Sequence, residues 1–270
     1  MDNSNVVQQV KELIALGELR LARNLLLEEG YVNQLNPLIQ KEFFELFPKN
    51  PELILEEQTT LKELFSPNEE SRLRAAKYIC RQASNETALK REAWLKDPRT
   101  IDVLIKATED ESPKVVAEIA FALAAVAWRY FRDLRMYPVL KKLLLYPNRD
   151  VQWGAICGVC TFYNRLDRWD VLIPFLLSRT PSKFKHEIAK AVSSGPRQLI
   201  PKDRTDLREA LLTALKKERV VTTKRGLVRA LYWIGDKQTK PELERMLQIE
   251  EDKPTQEELK SAIDRIDKES

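Results

Sequence analysis

The sequence is short of the residues that most enzyme chemistry needs. Its 270 residues include one histidine, His186, and three cysteines, Cys80, Cys157 and Cys160. A Ser-His-Asp or Cys-His mechanism would have to run through His186. Lys183, Lys185 and Lys190 surround it, and Glu187 is the one orienting carboxylate close in sequence, so His186 reads as a surface residue. Cys157-Gly158-Val159-Cys160 has the spacing of a metal or redox motif but lies mid-helix among apolar residues. A structural zinc asks for about four ligands, and no second cysteine pair exists. Both cysteines are therefore expected in the core, with no metal and no cofactor. No glycine-rich phosphate loop is present.

Glycine is scarce too, at seven residues. β-rich and dinucleotide-binding folds usually need more for their turns, whereas the abundant Leu, Ala, Lys, Arg and Glu all favour helix. Long apolar runs are missing. Ile119 to Trp128 is an unbroken one, well below the ~20 residues that span a bilayer, so no membrane association is expected. Met1-Asp2-Asn3-Ser4-Asn5 lacks the basic start and apolar stretch of a secretory signal. An odd number of cysteines suits a reducing, cytoplasmic setting.

Charge is plentiful and unevenly placed. Residues 1–112 hold 15 Lys/Arg and 20 Asp/Glu, residues 113–249 hold 26 and 13, and residues 250–270 hold 4 and 8. A segment of net charge +13 thus lies between two acidic ones. Such a segment suits an anionic partner.

Residues 5–64 read as several helices, with Val6, Val7, Val10, Leu13 and Ile14 at helical spacing and Gly30 ending a second helix. Gly17, Ala22, Leu25 and Leu26 faintly resemble a tetratricopeptide hairpin, although a plain capping layer accounts for them as well. Residues 1–65 are taken as an N-terminal helical cap, and residues 66–270 as a repeat domain. Ser66-Pro67-Asn68-Glu69 predicts a helix start, with Ser66 as cap and Glu69 completing a capping box. Ser112-Pro113 and Thr180-Pro181 repeat the signal, and Asn148 is a candidate cap. Thr255 to Glu258 predicts a capping box for a last helix, Thr255–Asp267.

Aligning the helices that begin at these starts places Ala75, Ile119, Ala155, Ile188, Leu227 and Leu259 in register. Four residues on come Ile79, Leu123, Val159, Val192, Leu231 and Ile263. The intervals between anchors are 44, 36, 33, 39 and 32 residues. Another amphipathic helix precedes each of the later anchors, starting near Thr100, Pro138, Trp169, Asp206 and Pro241. Two helices per interval predict an all-α fold. The form expected is a right-handed α-α superhelix, a solenoid of about six helix pairs ending in a charged capping helix. Ala120, Ala155, Gly158, Ala189 and Ala230 would let neighbouring helices approach closely.

Ser112-Pro113-Lys114-Val115-Val116-Ala117-Glu118-Ile119-Ala120-Phe121-Ala122-Leu123 and Asp150-Val151-Gln152-Trp153-Gly154-Ala155 resemble the HEAT and HEAT-like repeat family. The resemblance covers roughly residues 66–267. The arginine usual after the first valine of the second helix is missing, with Val116 and Gln152 in its place. The family resemblance implies that second helices line the concave surface. Residues two before and two after each anchor then face away from the core. They are Lys77, Ala117, Phe121, Trp153, Cys157, His186, Lys190, Arg225 and Arg229.

From this register we expect a basic surface with exposed aromatics, carried by Trp153, Arg168, Trp169, Lys190, Arg225 and Arg229. Trp128 and Trp233 are read as core. The function expected is a non-catalytic HEAT-like scaffold or adaptor that binds an acidic protein partner or a polyanion. Binding to nucleic acid is the second reading. It includes an enzyme version, because HEAT-like alkylpurine DNA glycosylases place aromatics and a carboxylate in such a groove. Their Trp-Asp-x-Val-Asp element is similar to Arg168-Trp169-Asp170-Val171-Leu172-Ile173, where Ile173 replaces the second aspartate. Asp170 and Asp150, the latter near Trp153, are the candidate catalytic carboxylates. Phycobilin lyase-like proteins, also built from short HEAT-like repeats, are a third reading.

Overall fold

The computed structural model describes Glu12, residues 55–84, Leu95, and residues 98–129, 133–162, 167–194 and 204–268. The N-terminal helices and the tetratricopeptide-like hairpin expected before residue 55 lie outside the described residues. Among the described residues the secondary structure is helical, without strands.

Helices α1 (Leu55–Glu63) and α2 (Glu69–Ser84) make the first pair, α3 (Pro98–Ala107) and α4 (Pro113–Arg129) the second, and α5 (Met136–Leu143) and α6 (Arg149–Thr161) the third. Three more follow: α7 (Asp167–Leu177) with α8 (Ser182–Ser194), α9 (Thr205–Lys217) with α10 (Val221–Ile234), and α11 (Lys240–Ile249) with α12 (Lys253–Lys268). The expected helix pairs are therefore present. The chain divides into two compact units, Met1–Gly158 and Val159–Ser270.

Each unit builds its core in the same way. In the first, α2 packs on α4, α1 on α2, and α3 on both α4 and α5. In the second, α8 packs on α10 and α10 on α12, while α7 packs on α9 in a second layer. The aligned anchors supply the contact. Ile119, Leu123, Ala155, Val159, Ile188, Leu227, Leu231 and Leu259 have no exposed surface. Burying a side chain of the size of Ile or Leu contributes about 1.5–3 kcal/mol, so the in-register anchors help to hold neighbouring pairs together within each unit. Small residues set the spacing. A Cβ on Gly154 would sit 2.8 Å from the Ala120 Cβ and 3.0 Å from the Phe121 backbone nitrogen. One on Gly158 would meet Leu140 at 2.7 Å.

The helix starts differ in detail from the sequence expectation. Asn148 does cap α6: its Oδ1 accepts from the N–H groups of Asp150 (2.9 Å) and Val151 (3.2 Å). At α2, however, the cap is Asn68 and not Ser66. Asn68 Oδ1 accepts from Glu70 and Ser71, while Ser66 Oγ accepts from the Asn68 N–H in the turn before. Ser112 precedes Pro113 as expected, but its hydroxyl donates to Glu69 at 2.7 Å instead of capping. Thr180 likewise donates to the Phe175 carbonyl. At α12 the cap is Asp252, whose Oδ2 accepts from the Thr255 N–H at 2.9 Å. Thr255 is buried inside the first turn and opens no capping box.

Among the described residues no helix is long and apolar enough to cross a membrane.

Candidate binding surface

Cations on the second helices fall into two sets, and the anchor register separates them. Three residues before each anchor stand Arg72, Val116, Gln152, Lys185, Lys224 and Gln256. Nine before stand Asp110, Tyr146, Arg179, Glu218 and Glu250 for the anchors from Ile119 onward. Where the first set supplies a cation and the next pair's second set a carboxylate, the two are bonded. Arg72 donates to Asp110 at 2.7 Å, Lys185 to Glu218 at 3.4 Å, and Lys224 to Glu250 at 2.9 Å. These carboxylates also gather the N–H groups of their own turns. Glu218 accepts from Arg219 and Val220, and Glu250 from Glu251 and Asp252. A cation therefore stands at this position in three helix pairs, and Val116, Gln152 and Gln256 stand there in the other three.

First helices carry a comparable set of ties. Arg135 reaches Asp102 and Asp133, Arg204 reaches Asp170 and Asp206, and Lys240 reaches Asp267. Several of the cations of residues 113–249 are thus engaged by carboxylates of the fold.

The second set of cations lies two residues before and after the anchors and faces solvent. Lys190 and Arg229 are exposed and Arg225 is half-buried. Lys190 lies 3.7 Å from Glu187. Arg225 and Arg229, one helical turn apart on α10, converge on a single oxygen of Glu258 on α12. Arg229 donates to Oε1 from Nε at 3.0 Å and from Nη2 at 2.7 Å, and Arg225 donates from Nε at 3.2 Å. The other oxygen, Oε2, is buried and accepts nothing. His186, on α8, is half-buried. Its Nδ1 lies 3.2 Å from where a Cβ on Gly226 would stand, so the ring fills the notch that this glycine leaves.

The first unit carries a cleft of about 270 Å³, lined by Leu73, Lys77, Lys114, Phe121, Asn148 and Asp150 among others. Phe121 meets Trp153 edge to face, with ring centroids 6.4 Å apart and planes at 71°. Phe121 and Trp153 are both half-buried, so each offers part of its ring to solvent. Lys77 is exposed as expected, whereas Ala117 is covered, at 7% exposure.

Two expectations about tryptophans are overturned. Trp169 has no exposed surface, because on α7 it shares the buried stripe of Leu172 and Leu176. Trp128, read as core, is 50% exposed at the end of α4. The side chain of Arg168 lies outside the described residues. Of the two candidate catalytic carboxylates, Asp170 is on a first helix and engaged by Arg204, beside a buried Trp169. The glycosylase-like element therefore has its aromatic closed to a base. Asp150 is exposed in the first turn of α6, at the cleft. Tyr232 and Trp233 pack edge to face, with centroids 4.7 Å apart.

The cysteines are free thiols, and Cys160 is buried. Cys80 is pushed up to about 12 by burial first and then by the charge and hydrogen bond of Glu118. Such a thiol stays protonated and is a poor nucleophile. Among the described residues no group of three or more His, Cys, Asp or Glu side chains is placed to hold a metal ion.

No protein-family model matches the chain, and no curated protein matches it in sequence. Solved structures do match. An engineered protein aligns at TM-score 0.64 and 24% identity over 80% of this chain and 98% of its own. A designed armadillo-repeat protein in complex with the peptide (KR)4 aligns at TM-score 0.59 and 19% identity, over 78% and 99%. A computationally designed armadillo-repeat protein for modular peptide recognition aligns at 0.59 and 17%, over 77% and 98%. These likenesses show the fold, an armadillo-type helical-repeat solenoid.

Proposed function

We propose that this chain is a non-catalytic repeat scaffold that binds an acidic polypeptide segment on its second-helix faces. The observation that carries this reading is the segregation of the cations. Those three residues before the anchors, Arg72, Lys185 and Lys224, are bonded to carboxylates of the next helix pair. Lys190, Arg225 and Arg229, two residues from the anchors, lie nearer the surface, Lys190 beside Glu187 and both arginines on Glu258. In the first unit Phe121, with Trp153 packed edge to face on it, lines a cleft together with Lys77 and Lys114 and the carboxylates Glu118 and Asp150. Basic charge steers an anionic partner, and a half-exposed aromatic pair supplies an anchor. Among the similar structures, one is described with the basic peptide (KR)4. The charge of this chain's outward set favours the opposite kind of segment.

The test is a titration of the full chain with a fluorescein-labelled, Glu-rich peptide containing one aromatic residue, read by anisotropy at two salt concentrations. Binding that weakens with salt is expected, with a loss of about tenfold or more in Lys190→Glu/Arg229→Glu, the equivalent of ~1.4 kcal/mol. Absence of binding at low salt would refute the proposal. Single-stranded or double-stranded DNA and RNA are run alongside. A steep salt slope with nucleic acid and none with the peptide would assign the surface to phosphate backbones instead.

A further inference from the structure

We infer that Arg225, Arg229 and Glu258 form a docking site for the phosphoryl group of a phosphoserine or phosphothreonine peptide, with Glu258 as a built-in placeholder. The inference rests on the scaffold reading for the peptide but on a separate observation for the phosphate. Two guanidinium groups on one face of α10 point at the same oxygen. With Glu258 ionised, the three groups carry one surplus positive charge. Glu258 is also a poor match for what surrounds it. It offers both arginines only Oε1, while Oε2 is buried without a donor. The side chain is 18% exposed, against 58% for Arg229 and 35% for Arg225. The arginines are therefore open to solvent on the side away from Glu258.

A phosphoryl group has what the glutamate lacks. It carries a charge of about −1.5 to −2 at neutral pH and three acceptor oxygens. Each guanidinium could then present two parallel N–H donors to two of these oxygens, one oxygen being shared between the forks, the geometry in which arginine surpasses lysine. Glu258 holds the two forks together in the meantime, since two like charges one turn apart repel. Asp252, the other carboxylate that feels Arg225, is committed to capping α12 through Thr255. Lys190 adds a further exposed cation on the same set of second helices.

The experiment uses one Glu-rich peptide in three forms that differ at a single position: Ser, Glu or phosphoserine. Each is titrated against the full chain. The phosphoserine form is expected to bind about tenfold more tightly than either other form, the value of one added charge-assisted hydrogen bond. Arg225→Lys and Arg229→Lys keep the charge and lose the fork. They should remove that increment, so that each variant binds the phosphoserine form no more tightly than the Glu form. Glu258→Gln, with its fold checked by thermal melting, should tighten the phosphoserine form at least threefold or so, because the placeholder no longer competes. Equal binding of all three forms would overturn this site and leave the scaffold reading standing. A phosphoserine increment that survives both lysine variants would overturn it too, by placing the phosphate elsewhere. Binding of the phosphoserine form alone would support the site and refute the broader acidic-peptide reading. Failure of every form to bind would refute both.

Discussion

The Arg72 guanidinium lies 2.7 Å from Asp110, thirty-eight residues further on, and both side chains are more than nine-tenths buried. Arg72 also donates to the Ser66 carbonyl and to Glu111. One side chain thus ties the turn before α2 to the turn before α4. Lys185 and Lys224 repeat the arrangement three and four helix pairs later, on Glu218 and Glu250. These pairs are linkers between repeats and not surface decoration.

Removing one partner of such a pair leaves the other charge buried. Arg72→Met is expected to lower the melting temperature clearly, and Arg72→Lys to lower it less, since lysine keeps the charge but not the three-way fork. Lys185→Met should cost less than the roughly 3–5 kcal/mol of a lone broken pair, because Ser182 and two backbone N–H groups still hold Glu218. Urea unfolding of the three variants checks the order. A neutral Arg72→Met would show that the pair is incidental to stability.

The missing link can be installed. Val116 is fully buried at the Arg72-equivalent position, and Tyr146 stands at the Asp110-equivalent position of the following pair. Val116→Arg alone should destabilise, because it buries a cation without a carboxylate. Adding Tyr146→Asp should recover about 1 kcal/mol or more of that loss as coupling energy. A double-mutant cycle measures it, and strict additivity of the two changes would mean that the register does not extend to this joint.

Much of this was written in the sequence. The anchors Ala75 to Leu259 gave both the helix pairing and the buried set, because an apolar residue recurring in register has little choice but to face the neighbouring pair. The ladder was legible from the same alignment, three residues before one anchor and nine before the next. Reading only the aligned Val116 and Gln152 hid it. The tryptophans were harder. Trp169 shares a stripe with Leu172 and Leu176, but it stands at a helix start beside Arg168, where local sequence does not tell a buried ring from an exposed one. In the fold Leu177 is 47% exposed and Trp169 is buried. The caps failed for a related reason. Ser66-Pro67-Asn68-Glu69 contains two good capping residues, and only the position of the first helical hydrogen bond chooses between them. Convergence of Arg225 and Arg229 on Glu258 joins residues 33 and 29 apart, and no local pattern announces it.

Gly154 and Gly226 should respond in opposite ways to alanine. Alanine in a helix interior gains about 1 kcal/mol over glycine. At Gly154 the new Cβ would meet the Ala120 Cβ at 2.8 Å and backbone at 3.0 Å, neither of which can turn aside. Overpacking of this kind costs about 1–3 kcal/mol, so Gly154→Ala is expected to destabilise on balance. At Gly226 the nearest atom is the His186 Nδ1 at 3.2 Å, on a side chain that can shift. Gly226→Ala should be close to neutral or mildly stabilising. Denaturation midpoints decide, and a stabilising Gly154→Ala would contradict the close approach of α4 and α6.

Acid should loosen the second unit through its turn carboxylates. Burial pushes Glu218 up. The N–H of Val220, the Ser182 hydroxyl, the N–H of Arg219 and the charge of Lys185 outweigh it and leave the group below the ordinary 4.5. Glu250 is lowered likewise, with burial opposing the Lys224 hydrogen bond and two turn N–H groups. A depressed native value means that the unfolded chain takes up protons first. The stabilisation is therefore complete above pH 4.5 and is lost as pH falls below it, through the lower native values. Unfolding free energy measured between about pH 3 and 7 should be nearly level at the upper end and fall steeply below about 4.5. Lys224→Met and Ser182→Ala should each reduce that slope. A slope unchanged by both would assign the acid sensitivity to other groups.

Cys80 and Glu118 make the last expectation. The thiol is raised from 9.0 to about 12, by burial first and by the Glu118 charge and hydrogen bond after it. Near pH 8 its thiolate should be scarcer than in the unfolded chain by on the order of a hundredfold or more, and alkylation follows the thiolate. Iodoacetamide labelling, resolved by site with mass spectrometry, should be slow at Cys80 in the native protein and rapid in urea. Glu118→Gln should speed the native reaction only modestly, because burial remains when the charge has gone. Native labelling as fast as that in urea would show that the helix face around Cys80 opens readily. A large acceleration in Glu118→Gln would make the carboxylate, and not the burial, the main guard of this thiol.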